Sequence, residues 1–108
     1  MAIRRRLEQQ RARIRVRGGY NPSCVVVRAG LPISLIFRRE ETAACSERVI
    51  FPDLGKSEML PPFEEVTVEL PAIEPGEHEF TCQLGVLKGR LIARADGGRR
   101  RAILLGRP

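Results

Sequence analysis

Aromatic residues are scarce in this chain of 108: four Phe, one Tyr and no Trp. None of the five lies among the arginines, so the chain offers no platform on which nucleic-acid bases would stack. There is a single histidine, His78, which excludes any centre built on two imidazoles. The three cysteines, Cys24, Cys45 and Cys82, show no CxxC or Cys–His spacing of the kind that frames structural zinc. Nowhere do about 18 apolar residues run together, so no membrane span is expected. The basic start, Met1 to Arg6, has no apolar segment behind it and does not read as a secretory signal. An odd cysteine count without such a signal predicts free thiols in a reducing, cytoplasmic setting. Ser34, Ser46 and Ser57 have no histidine base to serve them, and no glycine-rich phosphate loop follows any strand. With no acid–base or nucleophilic set to assemble, the chain is expected not to be an enzyme.

Charge is abundant but unevenly placed. The net charge is +6, with seven Arg and one Glu in residues 1–17, and seven Lys or Arg and one Asp in residues 88–108. Between them, residues 18–87 hold five basic and eleven acidic side chains. An acidic body thus carries two basic arms, divided as a basic N-terminal arm (1–11), a globular body (12–95) and a basic C-terminal tail (96–108). Arms of this kind suit an anionic lipid surface or the acidic face of a partner, or serve only solubility. In a longer chain they would also suit the flanks of a membrane segment, making the domain membrane-associated. Nucleic acid is not expected as a partner.

Along the body, period two dominates. Arg13 to Arg17 alternates strictly, with Ile14 and Val16 inward. Residues 18–22 read as a turn, 24–27 as a β-branched strand, and 33–38 as a strand with Ile33, Leu35 and Phe37 on one face. Further strands follow at 49–51, 65–70, 77–82 and 89–94. About seven short strands with turn signals between most of them predict an all-β, Greek-key antiparallel β-sandwich. The longer gaps, 39–47 and 52–64, are where strands would cross between sheets. Helix is expected at most in 2–11 and within 54–60, and Ala102 to Leu105 would pair as an eighth, edge strand.

Five segments, in order, resemble the cupredoxins, the plastocyanin-like β-sandwich family, and in particular its bacterial cupredoxin-like domains. They are Arg17-Gly-Gly-Tyr-Asn-Pro22, Val27-Arg-Ala-Gly-Leu-Pro32, Cys45-Ser-Glu-Arg-Val-Ile-Phe-Pro-Asp-Leu-Gly55, Leu60-Pro-Pro62, and Pro75 through Cys82 to Gly89. The resemblance covers about residues 13–94. It implies that Cys82, ending the penultimate strand, is a thiolate ligand, and that Cys45 holds the place of a first ligand on an earlier strand. Blue-copper members add a His and a Met after the Cys, and the bacterial subgroup tends to carry two Met at the positions of Leu84 and Val86. This chain has neither.

The chemistry of the residues leads to the same pair. Electron-transfer copper needs two His and a Cys around a weak axial donor, which one histidine cannot supply. His78 cannot join Cys82, because four strand residues span about 13 Å at roughly 3.3 Å each. His78 shares the parity of Phe80 and Cys82 and is expected as a core histidine with a hydrogen-bond partner. Two thiolates, Cys45 and Cys82, suit Cu(I) or another soft ion. They would equally suit two inert buried thiols, or a disulfide in an oxidising compartment. Cys24, in its valine-rich strand, is expected in the core. Met59 would add a thioether only if the 52–64 loop folded over the site. Glu47 is too hard a donor for Cu(I), and Glu64, Glu65, Glu69, Glu74, Glu77 and Glu79 read as solvated faces. Two functions stand: a Cu(I)-holding domain whose partner is a copper-handling protein or membrane transporter, or a metal-free cupredoxin scaffold acting as a protein-interaction module.

Overall fold

The computed structural model describes residues 10–95, and these form nine strands in two sheets. In chain order they are β1 (Gln10–Val16), β2 (Tyr20–Asn21), β3 (Cys24–Arg28), β4 (Ile33–Arg39), β5 (Arg48–Phe51), β6 (Lys56–Met59), β7 (Glu65–Leu70), β8 (Gly76–Cys82) and β9 (Lys88–Arg94). Sheet one runs β2-β1-β4-β7 and sheet two β3-β9-β8-β5-β6. All seven expected strands are present. The two additions are short: β2 falls in the stretch read as a turn, and β6 in the second long gap. Beyond Leu54, which closes a 3-10 turn, residues 55–60 are not helical. One 3-10 turn at Pro52–Leu54 ends on Gly55 in the left-handed region (φ 60), which reverses the chain into β6 against β5. The helix expected at 2–11 and the strand at 102–105 lie outside the described residues, save that Gln10 and Arg11 belong to β1.

The sandwich is as expected, but its pairing is mixed rather than purely antiparallel. β1 pairs parallel with β4, and β3 parallel with β9. The reason is topological. After the β1–β2 hairpin the chain crosses to sheet two for β3 and returns as β4, so β4 arrives beside β1 in the same direction. Gln10 ties the two sheets at this edge: its side-chain amide accepts from the Arg28 amide at 2.7 Å and donates to the Arg28 carbonyl at 2.8 Å.

Alternation places the core. From sheet one come Ile14, Val16, Ile33, Leu35, Phe37, Val68 and Leu70, and from sheet two Val25, Val27, Val49, Phe51, Phe80, Leu91 and Ala93, all buried. Cys24 is a correction. It is exposed, not core. β3 is an edge strand with one face on the core, and its register sets Val25 and Val27 beside the inward Leu91 and Ala93, which turns Cys24 and Val26 outward.

Four rings fill the centre. Phe80 lies 4.9 Å from Tyr20, 5.5 Å from Phe51 and 5.9 Å from Phe37, centroid to centroid. Opposite Phe80 on β9 is Gly89, and a Cβ there would stand 2.3 Å from the tip of the Phe80 ring. The ring is locked on its other sides, so it cannot yield. Gly89→Ala is expected to destabilise the fold by about 1–3 kcal/mol, the range for overpacking. Chemical denaturation measures it, and an unchanged midpoint would show that the ring has room to move.

Candidate metal centre

Cys82 ends β8 on its inward face, in register with Val49 of β5, and is fully buried at the last row of the core. The chain then turns sharply. The Gly85 amide donates to the Cys82 carbonyl at 3.0 Å, the Cys82 amide donates to Leu87 O at 3.1 Å, and Gly85 adopts φ 74. This turn aims backbone amides at the sulfur, and the Leu87 N–H donates to Sγ at 3.3 Å. Burial pushes the Cys82 thiol up, but the amides of Leu87, Leu84, Val86 and Gly85 outweigh it, and the group settles below its ordinary value of 9.0. A concave set of amides stabilises an anion in just this way. The strand parity that buries Phe80 therefore delivers Cys82 to a cradle suited to a thiolate.

Cys45 reaches the same end of the sandwich by a different route. It sits half-buried in a 3-10 turn, Ala44–Ser46, that has no side-chain cap. Two side chains from outside hold this turn. Arg39, last in β4, shares the parity of Ile33, Leu35 and Phe37 and is 3% exposed. Its Nε donates to Ser46 Oγ at 3.0 Å, its Nη2 to the Ala43 carbonyl at 2.7 Å, and its Nη1 to the Leu60 carbonyl at 2.7 Å. Gln83, directly after Cys82, donates from Nε2 to the Ala44 carbonyl at 2.6 Å and accepts from the Arg48 amide at 3.1 Å. The residue after one cysteine is thus bonded to the residue before the other.

Tyr20 closes the inner side. Its hydroxyl is buried with no hydrogen-bond partner among the described residues. The phenol is held well above its ordinary range, first by burial and then by the charges of Cys82 and Cys45. The hydroxyl makes no hydrogen bond to either sulfur, yet both cysteines act on it electrostatically. Both cysteines are free thiols rather than a disulfide.

The other expected donors are elsewhere. His78 is engaged at the middle of β8, with Nδ1 3.2 Å from Asp53 Oδ2 and Nε2 2.8 Å from the Glu74 carbonyl. It is the partnered histidine expected, at the rim rather than the centre of the core. Met59 lies on the outer face of β6: it is paired with Arg48, whose guanidinium reaches Ser57 on that same face. Glu47, Glu64, Glu65, Glu69, Glu74, Glu77 and Glu79 are all exposed. Leu84 and Val86 stand 65% and 66% exposed on the loop around Cys82. Among the described residues no three His, Cys, Asp or Glu side chains converge.

The reading of the sequence missed Arg39, Gln83 and Tyr20. Arg39 carried a usable signal, its inward parity. Tyr20 was read only as part of a turn, and nothing in the sequence marked Gln83.

A family model described as a cupredoxin-like domain matches residues 3–93. The structure is similar to the metal-binding domain of the Cu(I)-exporting P-type ATPase CopA of Streptococcus pneumoniae, solved with Cu(I). The TM-score is 0.78 at 28% identity, over 81% of this chain and 87% of that one. It is also similar to a copper binding protein solved in its apo form, with TM-score 0.77 and 32% identity over 81% and 89% of the two chains. The reduced auracyanin of Roseiflexus castenholzii shares the fold, at TM-score 0.63 and 17% identity over 81% and 97%. No curated relative matches the chain in sequence.

Two outcomes are expected of this geometry. A thiol lowered in the folded state contributes stability that is fully present above its ordinary value of 9.0 and is lost as pH falls through the lowered value. The stability of the native chain relative to Cys82→Ala should therefore increase as pH rises toward 9.0; denaturation in urea from about pH 6 upward measures it, and a flat difference would remove the amide cradle. Gln83→Ala should cost about 1 kcal/mol and speed hydrogen exchange at the Arg48 amide, which loses its acceptor. Unchanged exchange there would mean that the side chain does not hold the two loops together.

Proposed function

The chain belongs to the cupredoxin-like domain family, and on that premise we propose that it holds Cu(I), or a closely similar soft ion, through the thiolates of Cys45 and Cys82. Copper is cargo in this reading, taken from and passed to a copper-handling protein or a membrane transporter. The observation that carries it is the convergence of backbone amides on the Cys82 sulfur, with Cys45 tied to the same loop through Gln83. The likeness to copper-binding domains at 28% and 32% identity supports it.

Each residue has a part. Cys82 and Cys45 bind as soft anionic donors, which suit Cu(I) over harder ions. The loop amides favour the anionic form of Cys82. Gln83 and Arg39 set where Cys45 stands. Leu84 and Val86 present apolar surface at the mouth, where they limit access of water and offer contact to a donor or acceptor protein. Because no imidazole is available, the site does not serve blue-copper electron transfer, and with no reacting group nearby the domain is a binding module rather than an enzyme. No helix among the described residues is long and apolar enough to cross a membrane. We place the domain in a reducing, cytoplasmic compartment, as its free thiols suggest. The basic segments expected as arms, less Gln10 and Arg11, which belong to β1, are in this reading contacts for an anionic partner surface.

Reduced protein titrated with Cu(I) against a chromophoric chelator should compete for one ion per chain. Cys82→Ser and Cys45→Ser should each abolish that competition. Absence of competition by the native chain, or competition that survives Cys82→Ser, would sink the proposal. In that case the exposed Leu84–Val86 loop would favour the metal-free interaction module instead.

A further inference from the structure

Arg39 is fully buried and hydrogen-bonded on all three of its nitrogens, yet every partner is neutral: Ser46 Oγ and the carbonyls of Leu60 and Ala43. Among the described residues it makes no ion pair, although arginines 13, 15, 38 and 90 all do. Of the two acids that follow it in sequence, Glu40 pairs with Arg15 and Arg38, and Glu41 accepts from the Gly18 amide at 2.8 Å. A guanidinium cannot discard its charge. One positive charge with no ion pair among the described residues therefore lies under the Cys45 turn, bonded to Ser46 just after that cysteine and to Ala43 two residues before it. Hydrogen bonds alone explain a staple, but a neutral side chain would make one at lower desolvation cost.

We infer that Arg39 is the built-in counter-charge of the two-thiolate site and makes it select a monovalent ion over a divalent one. The inference rests on the two-thiolate reading above. Two thiolates with a monovalent ion carry one net negative charge, which Arg39 balances. With a divalent ion they carry none, and Arg39 has nothing to balance. The preference survives any protonation state of the empty site, since that state is common to both ions and cancels in the ratio of affinities. What remains is one unit of charge facing Arg39. At separations below about 10 Å and an effective dielectric near 20, that charge changes the ratio on the order of tenfold or more.

The test compares Cu(I) with Hg(II), a second closed-shell soft ion that two thiolates satisfy, each by competition against a suitable chelator. Arg39→Met should lower the Cu(I)-to-Hg(II) affinity ratio at least about tenfold. Arg39→Lys, which keeps the charge but not the fork, should hold the ratio near that of the native chain even if both affinities fall. Ser46→Asp leaves Arg39 in place and gives its Nε a carboxylate, and it should lower the ratio as Arg39→Met does. This second route remains available if Arg39→Met does not fold. A merely structural Arg39 would weaken both ions by the same factor, and an unmoved ratio in either folded variant overturns the inference. If the native chain binds neither ion, the two-thiolate reading has failed and the counter-charge fails with it. Native binding with an unmoved ratio overturns the counter-charge alone.

Discussion

The ring of Phe80 sits where the two sheets must touch, and the ligand end of the molecule depends on it. Three rings converge on it from three other strands: Tyr20 and Phe37 from sheet one, Phe51 from sheet two. All lie within the 4.5–7 Å at which aromatic pairs attract. Room for this arrangement exists because β9 presents Gly89 and no side chain opposite the ring. Cys82 is two residues along the same face of the same strand, so its position follows from the seating of Phe80. Tyr20 is fixed by the same contact, and its unpaired hydroxyl is thereby brought near the sulfurs. A packing constraint in the core thus becomes a positional constraint on a thiolate and a phenol.

Cys45 has no such anchor. It stands in a short uncapped turn between sheets, where the backbone alone provides little rigidity. Polar side chains supply what packing does not: Arg39 from beneath and Gln83 from across. The two cysteines therefore differ mechanically. One belongs to the core and is as rigid as the sheet, while the other is suspended from hydrogen bonds that can be exchanged. Any change in the separation of the two cysteines falls on the Cys45 side, because that side costs less to move.

How much of this was legible in the sequence depended on whether parity or partnership was being asked for. Parity was legible. Ile14, Val16, Ile33, Leu35, Phe37, Phe80 and Cys82 all face inward, as alternation requires. Partnership was not. The parallel β1–β4 and β3–β9 pairs join strands separated by other elements, and alternation is silent on direction. Cys24 shows the limit within a single strand: in Cys-Val-Val-Val either face is apolar enough to be buried, so only the register with β9 decides. Arg39 shows the opposite failure. It lies one residue past the strand expected at 33–38, so its inward parity was usable only by extending that strand, and its three acceptors could not be read from the pattern. Gln83 acts through two loops distant in sequence, and local reading cannot reach it.

The family resemblance and the physical reading separate at the loop after Cys82, and that separation can be explained. Leu84 and Val86 occupy places where a thioether was expected, yet the turn is intact and the amides still point at the sulfur. The cradle is a property of the backbone, set by the strand end and by Gly85 in its left-handed conformation. It survives replacement of the side chains that ride on it. The amides lower the Cys82 thiol, while the side chains determine what else the loop presents. Replacing two sulfur donors by leucine and valine lowers the donor number without weakening the thiolate. On the two-thiolate reading this favours an ion content with few soft ligands, and because thioethers are neutral it leaves the charge balance between the sulfurs and Arg39 as it was.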